Sequence, residues 1–172
     1  VNVIDNTLEA KPGKEGTLAP VPAGIYCLAQ AKEGRAADYA VVLNNRLLGP
    51  QSGVVVSRVD GATVATNRID GGGSGWYGVL VDDCRDTCVR ENDIEEVWFG
   101  VQLIEGERNR LIANRIRRTL LGVGALQEAD MEVSGNTLLA CIMGGIGLLW
   151  VSRATAVLDN RIMNCGYAGA LT

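Results

Sequence analysis

The sequence predicts an all-β protein, a parallel β-helix in which about seven coils of 22 to 25 residues stack on one another. Three observations predict this fold. An asparagine marker recurs along the chain, a glycine marker recurs in step with it, and the apolar residues of each unit alternate with period two, which is typical of strands. A composition with 22 glycines and 5% aromatic residues suits many short strands joined by tight turns.

The first marker is an asparagine followed two positions later by leucine or isoleucine. It occurs at Asn6, Asn45, Asn67, Asn92, Asn114, Asn136 and Asn160. From Asn45 onward the spacings are 22, 25, 22, 22 and 24 residues. Asparagine tolerates the left-handed backbone of a sharp turn, and stacked asparagine side chains can hydrogen-bond along the axis. We therefore expect these asparagines to be structural rather than catalytic.

The second marker is a glycine that opens an apolar strand in each unit. It occurs at Gly24, Gly53, Gly78, Gly100, Gly122, Gly145 and Gly169. The alternation predicts which aliphatic side chains point into the coil: Val79, Val81, Val89 and Ile94, then Val101, Leu103, Leu111 and Ile116 in the next coil. A leucine-rich repeat has a similar period, but its leucine consensus and its helical stretch are absent, so that alternative ranks second.

The repeat spans the chain and predicts a single domain over residues 1–172. Departures from the repeat predict inserted loops at about 9–23, 29–40 and 71–77, and such loops often form the binding face of a solenoid. Both ends of the sequence interrupt a coil, which would expose sheet edges. We therefore expect a fragment of a longer helix, or a subunit whose ends are capped by other subunits or domains.

Four successive units carry a family resemblance. They read "GVLVDDCRDTCVRENDI", "GVQLIEGERNRLIANRI", "GVGALQEADMEVSGNTL" and "GIGLLWVSRATAVLDNRI". The sequence resembles the right-handed parallel β-helix proteins of the pectate-lyase-like superfamily. That superfamily includes polysaccharide lyases, hydrolases, uronate epimerases, phage tailspikes and non-catalytic surface proteins. The resemblance implies a right-handed helix and an extracellular or cell-surface location, but it does not choose among these functions.

The enzymes of this superfamily suggest where to look for a catalytic site. The chain has no histidine and no Arg-x-Lys motif, so the hydrolase pattern of the family fails. Asp82 and Asp83 are the only catalytic candidates, and they are weak because adjacent strand residues point to opposite sides. The rungs aligned with Asp82 carry Ser57, Ile104 and Leu126 rather than a second acid.

Acidic residues close together in sequence could bind a metal ion, and cysteines on neighbouring coils could form a disulfide. A calcium site built from Asp82, Asp83, Asp86 and Glu91 is chemically feasible, but these residues lack a loop signature, so we expect no cofactor or metal. Cys141 and Cys165 both lie five residues after their asparagines and should stack on adjacent rungs. That spacing permits a disulfide, and a stack of small side chains is the favoured alternative.

The outward positions of the glycine-led strands are mostly apolar. We predict that they form an interface: Tyr26, Leu28, Val55, Leu80, Ile104, Leu126, Leu149 and Trp150. Soluble monomers rarely expose large contiguous apolar patches. We therefore expect a second copy of the chain, or another domain, to cover this face, and coverage by the two early insertions is the alternative.

The strands after the asparagines instead begin with outward arginines. Arg46, Arg68, Arg115 and Arg161 could bind anionic sugars or phosphates as a ladder. The alternative, which we favour, is that the positions of Arg68, Asp93 and Arg115 alternate in sign and pair with one another.

The net charge and the hydropathy of the chain exclude some classes of function. A net charge of −4 provides no basic field for nucleic acid, and no run of 18 uncharged apolar residues predicts a membrane span. The sequence thus predicts a non-catalytic structural and binding module of a larger secreted, surface or phage-tail-like assembly, presenting a face to glycans or proteins. The alternative is a lyase or epimerase acting on acidic polysaccharide, with part of its site outside this sequence.

Overall fold

The computed structural model describes residues 1–9, 24–28, 37–151, 154–166 and 170–171. Their regular structure consists of 21 β-strands, numbered in chain order, that form three parallel sheets along one axis. Each coil contributes one strand to sheet A, turns at the asparagine into sheet B, and passes on to sheet C. The all-β parallel solenoid predicted from the repeat is confirmed.

Sheet A has seven strands. They are β1 (Asn2–Ile4), β5 (Val41–Leu43), β9 (Thr63–Ala65), β11 (Cys88–Arg90), β13 (Arg110–Ile112), β16 (Glu132–Ser134) and β19 (Ala156–Leu158). Sheet B contains β2 (Thr7–Glu9), β6 (Arg46–Leu48), β14 (Arg115–Arg117), β17 (Thr137–Leu139) and β20 (Arg161–Met163). Sheet C contains β3 (Ile25–Leu28), β7 (Ser52–Ser57), β15 (Leu121–Leu126), β18 (Gly144–Leu149) and β21 (Ala170–Leu171).

Two long strands join sheets B and C. They are β10 (Arg68–Asp82) and β12 (Asp93–Ile104), and each begins in sheet B and ends in sheet C. A short pair outside these sheets joins β4 (Ala37–Asp38) to β8 (Val59–Asp60). The described residues make about five complete turns, slightly fewer than the seven coils predicted, because the outermost rungs supply strands without a fully described coil between them.

The core is a column of aliphatic side chains enclosed by the three sheets. All eight side chains predicted to point inward from the two central coils have at most 1% of their surface exposed. Each coil buries only a few apolar groups, so burial at about 25 cal/mol per Å² stabilises the fold only when neighbouring coils stack. The period-two alternation therefore predicted the core correctly.

The asparagines form a continuous buried ladder at the turn between sheets A and B. The Oδ1 atom of Asn92 accepts hydrogen bonds from the backbone N–H and the Nδ2 of Asn67, both at 2.9 Å. Asn92 in turn donates from Nδ2 to the carbonyl of Val64 and to Asn114 Oδ1. The expected hydrogen bonding along the axis is confirmed.

We expected the asparagine to adopt the left-handed backbone conformation of this turn, and this expectation is wrong. The residue before the asparagine adopts that conformation instead, for example Glu91 with φ 55° and Ala113 with φ 54°. This arrangement has a physical reason: the preceding residue turns the chain, so the asparagine can direct its amide along the axis and satisfy buried backbone groups. Because the turning residue is exposed, its identity varies from coil to coil.

The glycine marker lies where sheet B gives way to sheet C. A Cβ on Gly100 would lie 2.4 Å from Ile116 Cγ2 and 2.4 Å from the carbonyl oxygen of Gly122. Successive coils approach too closely at this corner for any side chain. Close packing against the core therefore explains why this glycine recurs.

Only part of the three predicted insertions falls among the described residues. Residues 10–23 of the first insertion and residues 29–36 of the second lie outside the described residues. Residues 71–77 lie within strand β10, where a bulge between Asp70 and Gly75 shifts the pairing register. Within the described part of the chain, no helix is long and apolar enough to cross a membrane.

Candidate functional site

The outer face of sheet C has the predicted register. Leu80, Gln102, Gly124 and Gly147 stack in one row, and Asp82, Ile104, Leu126 and Leu149 stack in the next. The ends of the face are the most open, since Leu28 and Leu149 are 62% and 56% exposed. Tyr26 and Trp150 are exposed as well.

Val55 is a correction to the predicted interface. It lies in register between Tyr26 and Leu80, yet only 7% of its surface is exposed. Rungs of a sheet lie roughly 4.8 Å apart, so larger neighbours on both sides can cover a valine. Val55 therefore offers almost no surface to a partner.

A pair of stacked aromatic residues extends the apolar face of sheet C. The rings of Tyr77 and Phe99 stack with their centroids 5.5 Å apart, and Phe99 is in register with Leu121. Leu121 lies on the outer face, because its side chain is 3.5 Å from the position a Cβ on Gly147 would take. The sequence analysis missed this row, although Tyr77 and Phe99 are one coil of 22 residues apart.

The two catalytic candidates do not form an acid–base pair. Asp82 is half-buried at the end of β10, and its Oδ2 accepts a hydrogen bond of 2.9 Å from Ser57. Asp83 is exposed in the following turn and lies 3.8 Å from Arg58. The two carboxylates therefore contact different neighbours, and neither faces another acid across sheet C.

The other two acids of the suggested calcium site are also separated by their partners. Asp86 accepts two hydrogen bonds of 2.8 Å from Arg108, which hold the pKa of this carboxyl below its ordinary value. Glu91 pairs with Arg90 at 3.0 Å. Within the described ranges, no three acidic or cysteine side chains converge as metal ligands.

The predicted arginine ladder is in register along sheet B. Arg46, Arg68, Asp93, Arg115, Thr137 and Arg161 occupy successive rungs. The pairing we favoured is wrong in detail. Arg68 lies 3.6 Å from Glu95, and Asp93 lies 3.3 Å from Arg117, because a long arginine reaches diagonally to the next outward position.

Among the described residues, the other three ladder arginines lack such partners. Arg46 and Arg115 form no ion pair with any residue that the structure describes, and Arg161 donates to the sulfur of Met163 at 3.1 Å. The ladder is thus a set of separate exposed cations rather than one continuous anion site.

Glu95 is the centre of an ionic cluster that the sequence analysis missed. Only 7% of its side chain is exposed, and its Oε2 accepts hydrogen bonds from Arg117 at 2.9 Å and from Arg118. The hydrogen bond from Arg117 lowers the pKa of Glu95, and the nearby charges of Arg118 and Arg68 act in the same direction. These ion pairs hold the side chains of Arg68, Arg117 and Arg118 against the outer face of sheet B.

The corner between sheets B and C carries two stacked tryptophans. The ring centroids of Trp76 and Trp98 are 4.9 Å apart with an angle of 29° between the planes, and the residues are 44% and 45% exposed. Beside Trp98 lies an open groove of about 370 Å³, which we call the corner groove. Its lining includes Gly73, Glu96, Trp98, Arg118, Leu120 and Ile142.

A buried carboxyl group lies between sheets C and A. Glu128 is fully buried, and its Oε2 accepts a hydrogen bond of 3.1 Å from Asn109 Nδ2. Burial raises the pKa of Glu128 to about 7, and the hydrogen bond from Asn109 offsets only part of this effect. The preceding coils have Cys84 and Gly106 at the same place, so the repeat gave no signal for an acid here.

Cys141 and Cys165 lie on adjacent rungs, as predicted. The backbone N–H of Cys141 donates to Cys165 Sγ at 3.4 Å, and both thiols are free in this structure. Burial is the largest cause that raises the pKa of Cys141, to about 12. This thiol is therefore protonated at neutral pH and packs as a small apolar group.

Comparison with solved structures places the fold among known proteins. The periplasmic alginate epimerase AlgG, in a double-mutant form, matches 99% of this chain with a TM-score of 0.64 and 15% identity, and 50% of its own length is covered. A second AlgG structure matches 75% of this chain and 42% of its own with a TM-score of 0.50 and 14% identity. The Streptococcus pneumoniae surface protein and adhesin PfbA matches 84% of this chain and 52% of its own, with a TM-score of 0.49 and 11% identity.

These likenesses concern the fold alone. The chain spans about half the length of the solved structures it matches. No curated protein matches it by sequence. The family model described as the right handed beta helix region matches residues 23–172, which is most of the chain. With its three parallel sheets and its continuous asparagine ladder, this chain belongs to the right-handed β-helix family.

Proposed function

We propose that this chain is a non-catalytic structural and binding module of a larger assembly. The observation that carries the proposal is the outer face of sheet C. It bears tyrosine, leucine, isoleucine and phenylalanine side chains along successive rungs, and Asp82, a carboxylate on the same face, is hydrogen-bonded to Ser57. A face of this composition suits contact with another surface better than acid–base chemistry.

The charged side chains of the central coils support a structural role. Asp93 and Glu95, on the outside of sheet B, are engaged by arginines. Glycoside hydrolysis needs two carboxyl groups about 5 to 9.5 Å apart that face each other across a substrate. Asp82 and Asp83 contact different neighbours and point to different sides, so they do not supply such a pair.

The occupant of the sheet C face is proposed to be a second copy of this chain. The exposed residues Leu28 and Leu149 lie at opposite ends of the face, which extends over the whole stack of rungs. A long apolar surface of this kind is typical of an obligate interface. We place the assembly outside the cytoplasm or at the cell surface, a location for which AlgG, described as periplasmic, offers an analogy.

The assembly proposal is tested by size-exclusion chromatography with light scattering over a range of concentrations. We expect a dimer or larger oligomer for the unmodified chain. Leu149→Lys places a charge on the sheet C face and should shift the protein toward monomer. Leu158→Lys is the matched control, because Leu158 is 52% exposed but belongs to sheet A. A monomer at all concentrations, or equal effects of both variants, would overturn the proposal.

The absence of catalysis is tested separately with alginate and polygalacturonate in the presence of calcium. We expect no ultraviolet absorbance from unsaturated uronates and no change in the uronate composition by NMR. Product that forms with the unmodified chain and disappears with Asp82→Asn would instead establish an acidic-polysaccharide lyase or epimerase.

A further inference from the structure

The corner groove beside Trp98 is a second candidate binding surface, separate from the face of sheet C. We infer that it binds an uncharged segment of a polysaccharide, with a pyranose ring stacked on the tryptophan. This inference rests on the binding role proposed above, but it involves a different part of the molecule and a different partner.

The first argument is the aromatic platform. Trp76 and Trp98 stack on each other across adjacent rungs, and each remains nearly half exposed. An exposed tryptophan presents a broad, electron-rich ring face, which attracts the polarised C–H groups on the apolar face of a sugar. Because Trp76 stacks against one face of Trp98, a sugar can stack only on the other face, so Trp98 is the platform of the corner groove.

The backbone fixes this platform in place. The N–H of Trp76 donates to the carbonyl of Gln51 at 2.6 Å, and the carbonyl of Trp98 accepts from the N–H of Leu120 at 2.9 Å. The bulge at residues 71–75 leaves open space on the outer side, since no atom lies within 4 Å of where a Cβ on Gly72 or Gly73 would be. A site on paired strands loses little conformational entropy when a ligand binds.

The charge of the groove argues for a neutral sugar. Its cation, Arg118, is already paired with Glu96 at 3.1 Å and with Glu95. A uronate carboxylate would therefore meet no free guanidinium here, and it would also lie near the carboxylate of Glu96. The hydroxyl groups of a neutral sugar can instead donate to Glu96 and accept from the outer N–H groups of Arg118.

The size and direction of the groove suit a short length of chain. A volume of about 370 Å³ lies near the lower end of the range of about 300 to 1,000 Å³ typical of small-molecule sites. The lining residues Gly73, Trp98, Leu120 and Ile142 come from four successive coils, which span roughly 14 Å along the axis at about 4.8 Å per rung. An open groove parallel to the axis allows the polymer to continue beyond it at both ends.

The test uses the whole chain and measures tryptophan fluorescence during titration with soluble polysaccharides. The neutral probes are xyloglucan, galactomannan and mixed-linkage β-glucan, and the acidic probes are alginate and polygalacturonate. We expect at least one neutral polymer to bind more tightly than both acidic polymers. Trp98→Ala should weaken that binding about tenfold or more, which corresponds to about 1.4 kcal/mol.

Tyr39→Ala is the control, because Tyr39 is an aromatic residue that is 70% exposed and belongs to neither the corner groove nor the sheet C face. It should leave neutral-glycan affinity unchanged. Affinity gel electrophoresis with the same polymers measures binding without relying on the removed fluorophore. Trp98→Phe should recover part of the affinity because it restores an aromatic face, and thermal unfolding checks that each variant is folded.

Three outcomes would overturn the inference. They are no binding to any neutral polymer, preferential binding to the acidic polymers, and equal losses of affinity for Trp98→Ala and Tyr39→Ala. A change of oligomeric state in Trp98→Ala would also overturn it, because the corner groove would then be a protein interface. None of the first three results affects the sheet C assembly, which light scattering tests independently.

Discussion

Two ladders of polar side chains run along the helix only one residue apart in sequence, yet they differ in kind. Asn92 is 1% exposed, and both ends of its amide are hydrogen-bonded within the ladder. The next residue, Asp93, points outward and pairs with Arg117 at 3.3 Å. The buried asparagine recurs in every coil, whereas the outward residue that follows it changes its charge and its partner from coil to coil.

The difference follows from the environment of each ladder. A buried amide that loses its partner leaves donors and acceptors without water, so the asparagine position tolerates little change. An exposed charge that loses its partner is solvated at little cost. The outer ladder is therefore free to vary, which explains how Arg46 and Arg115 can lack ion pairs among the described residues.

The largest expected effect comes from breaking the buried ladder at its centre. Asn92→Ala removes the acceptor for two N–H groups of Asn67 and the donor to Val64 and Asn114. At about 1 to 3 kcal/mol for a buried polar group left unpaired, the loss should reach about 3 to 5 kcal/mol. Equilibrium urea unfolding measures it.

Asn6→Ala is the control for this prediction. Asn6 occupies the same ladder position but is exposed, so water can replace the lost hydrogen bond from its Nδ2 to Asn45 Oδ1. We expect a loss below about 1 kcal/mol. Similar losses for the two variants would show that burial does not set the cost of losing a ladder asparagine.

The features that the sequence predicted are those that recur. The asparagine spacing fixed the register of all three sheets, and the alternation fixed inward residues such as Val101 and Leu103. These are predictable because stacking requires each coil to place the same kind of side chain at the same place. The outward rows of sheet C followed from the same register.

The features that the sequence missed depend on side chains that occur once or twice. Glu95 attracts three arginines from the two neighbouring rungs, and the reach of a long side chain is not encoded in the repeat. Trp76 and Trp98 are an intermediate case. Their separation of 22 residues equals the coil length and predicts a stack, but the inserted glycines before Trp76 obscured the alignment.

The second prediction concerns a buried polar group that lies outside any ladder. Burial raises the pKa of Glu128 from 4.5 to about 7, so folding favours its neutral form. The resulting stability is fully present below about pH 4.5 and is lost as the pH rises through about 7. Glu128→Gln should therefore be more stable than the unmodified chain at pH 8 or above, by about 2 to 3 kcal/mol.

Urea unfolding at a series of pH values measures this difference. The two proteins should be nearly equal at acidic pH, and the curve for Glu128→Gln should be the flatter one. Glu105→Gln is the control because Glu105 is exposed one coil earlier, and its profile should follow that of the unmodified chain. A gap that is independent of pH would mean that burial does not raise the pKa of Glu128 above its value in the unfolded chain.

The smallest expected effects come from ion pairs outside the core and depend on how far each pair is buried. Arg117 is 16% exposed and pairs with the buried Glu95, so Arg117→Gln should cost about 1 to 2 kcal/mol at neutral pH. Arg108 and Asp86 are 48% and 54% exposed, and Arg108→Gln should produce no change beyond experimental error.

Because Arg117 lowers the pKa of Glu95, the stability of the pair is present above about pH 4.5 and is lost as the pH falls further. Urea unfolding should show the cost of Arg117→Gln shrinking in acid, and equal costs for the two variants at neutral pH would contradict the role assigned to burial.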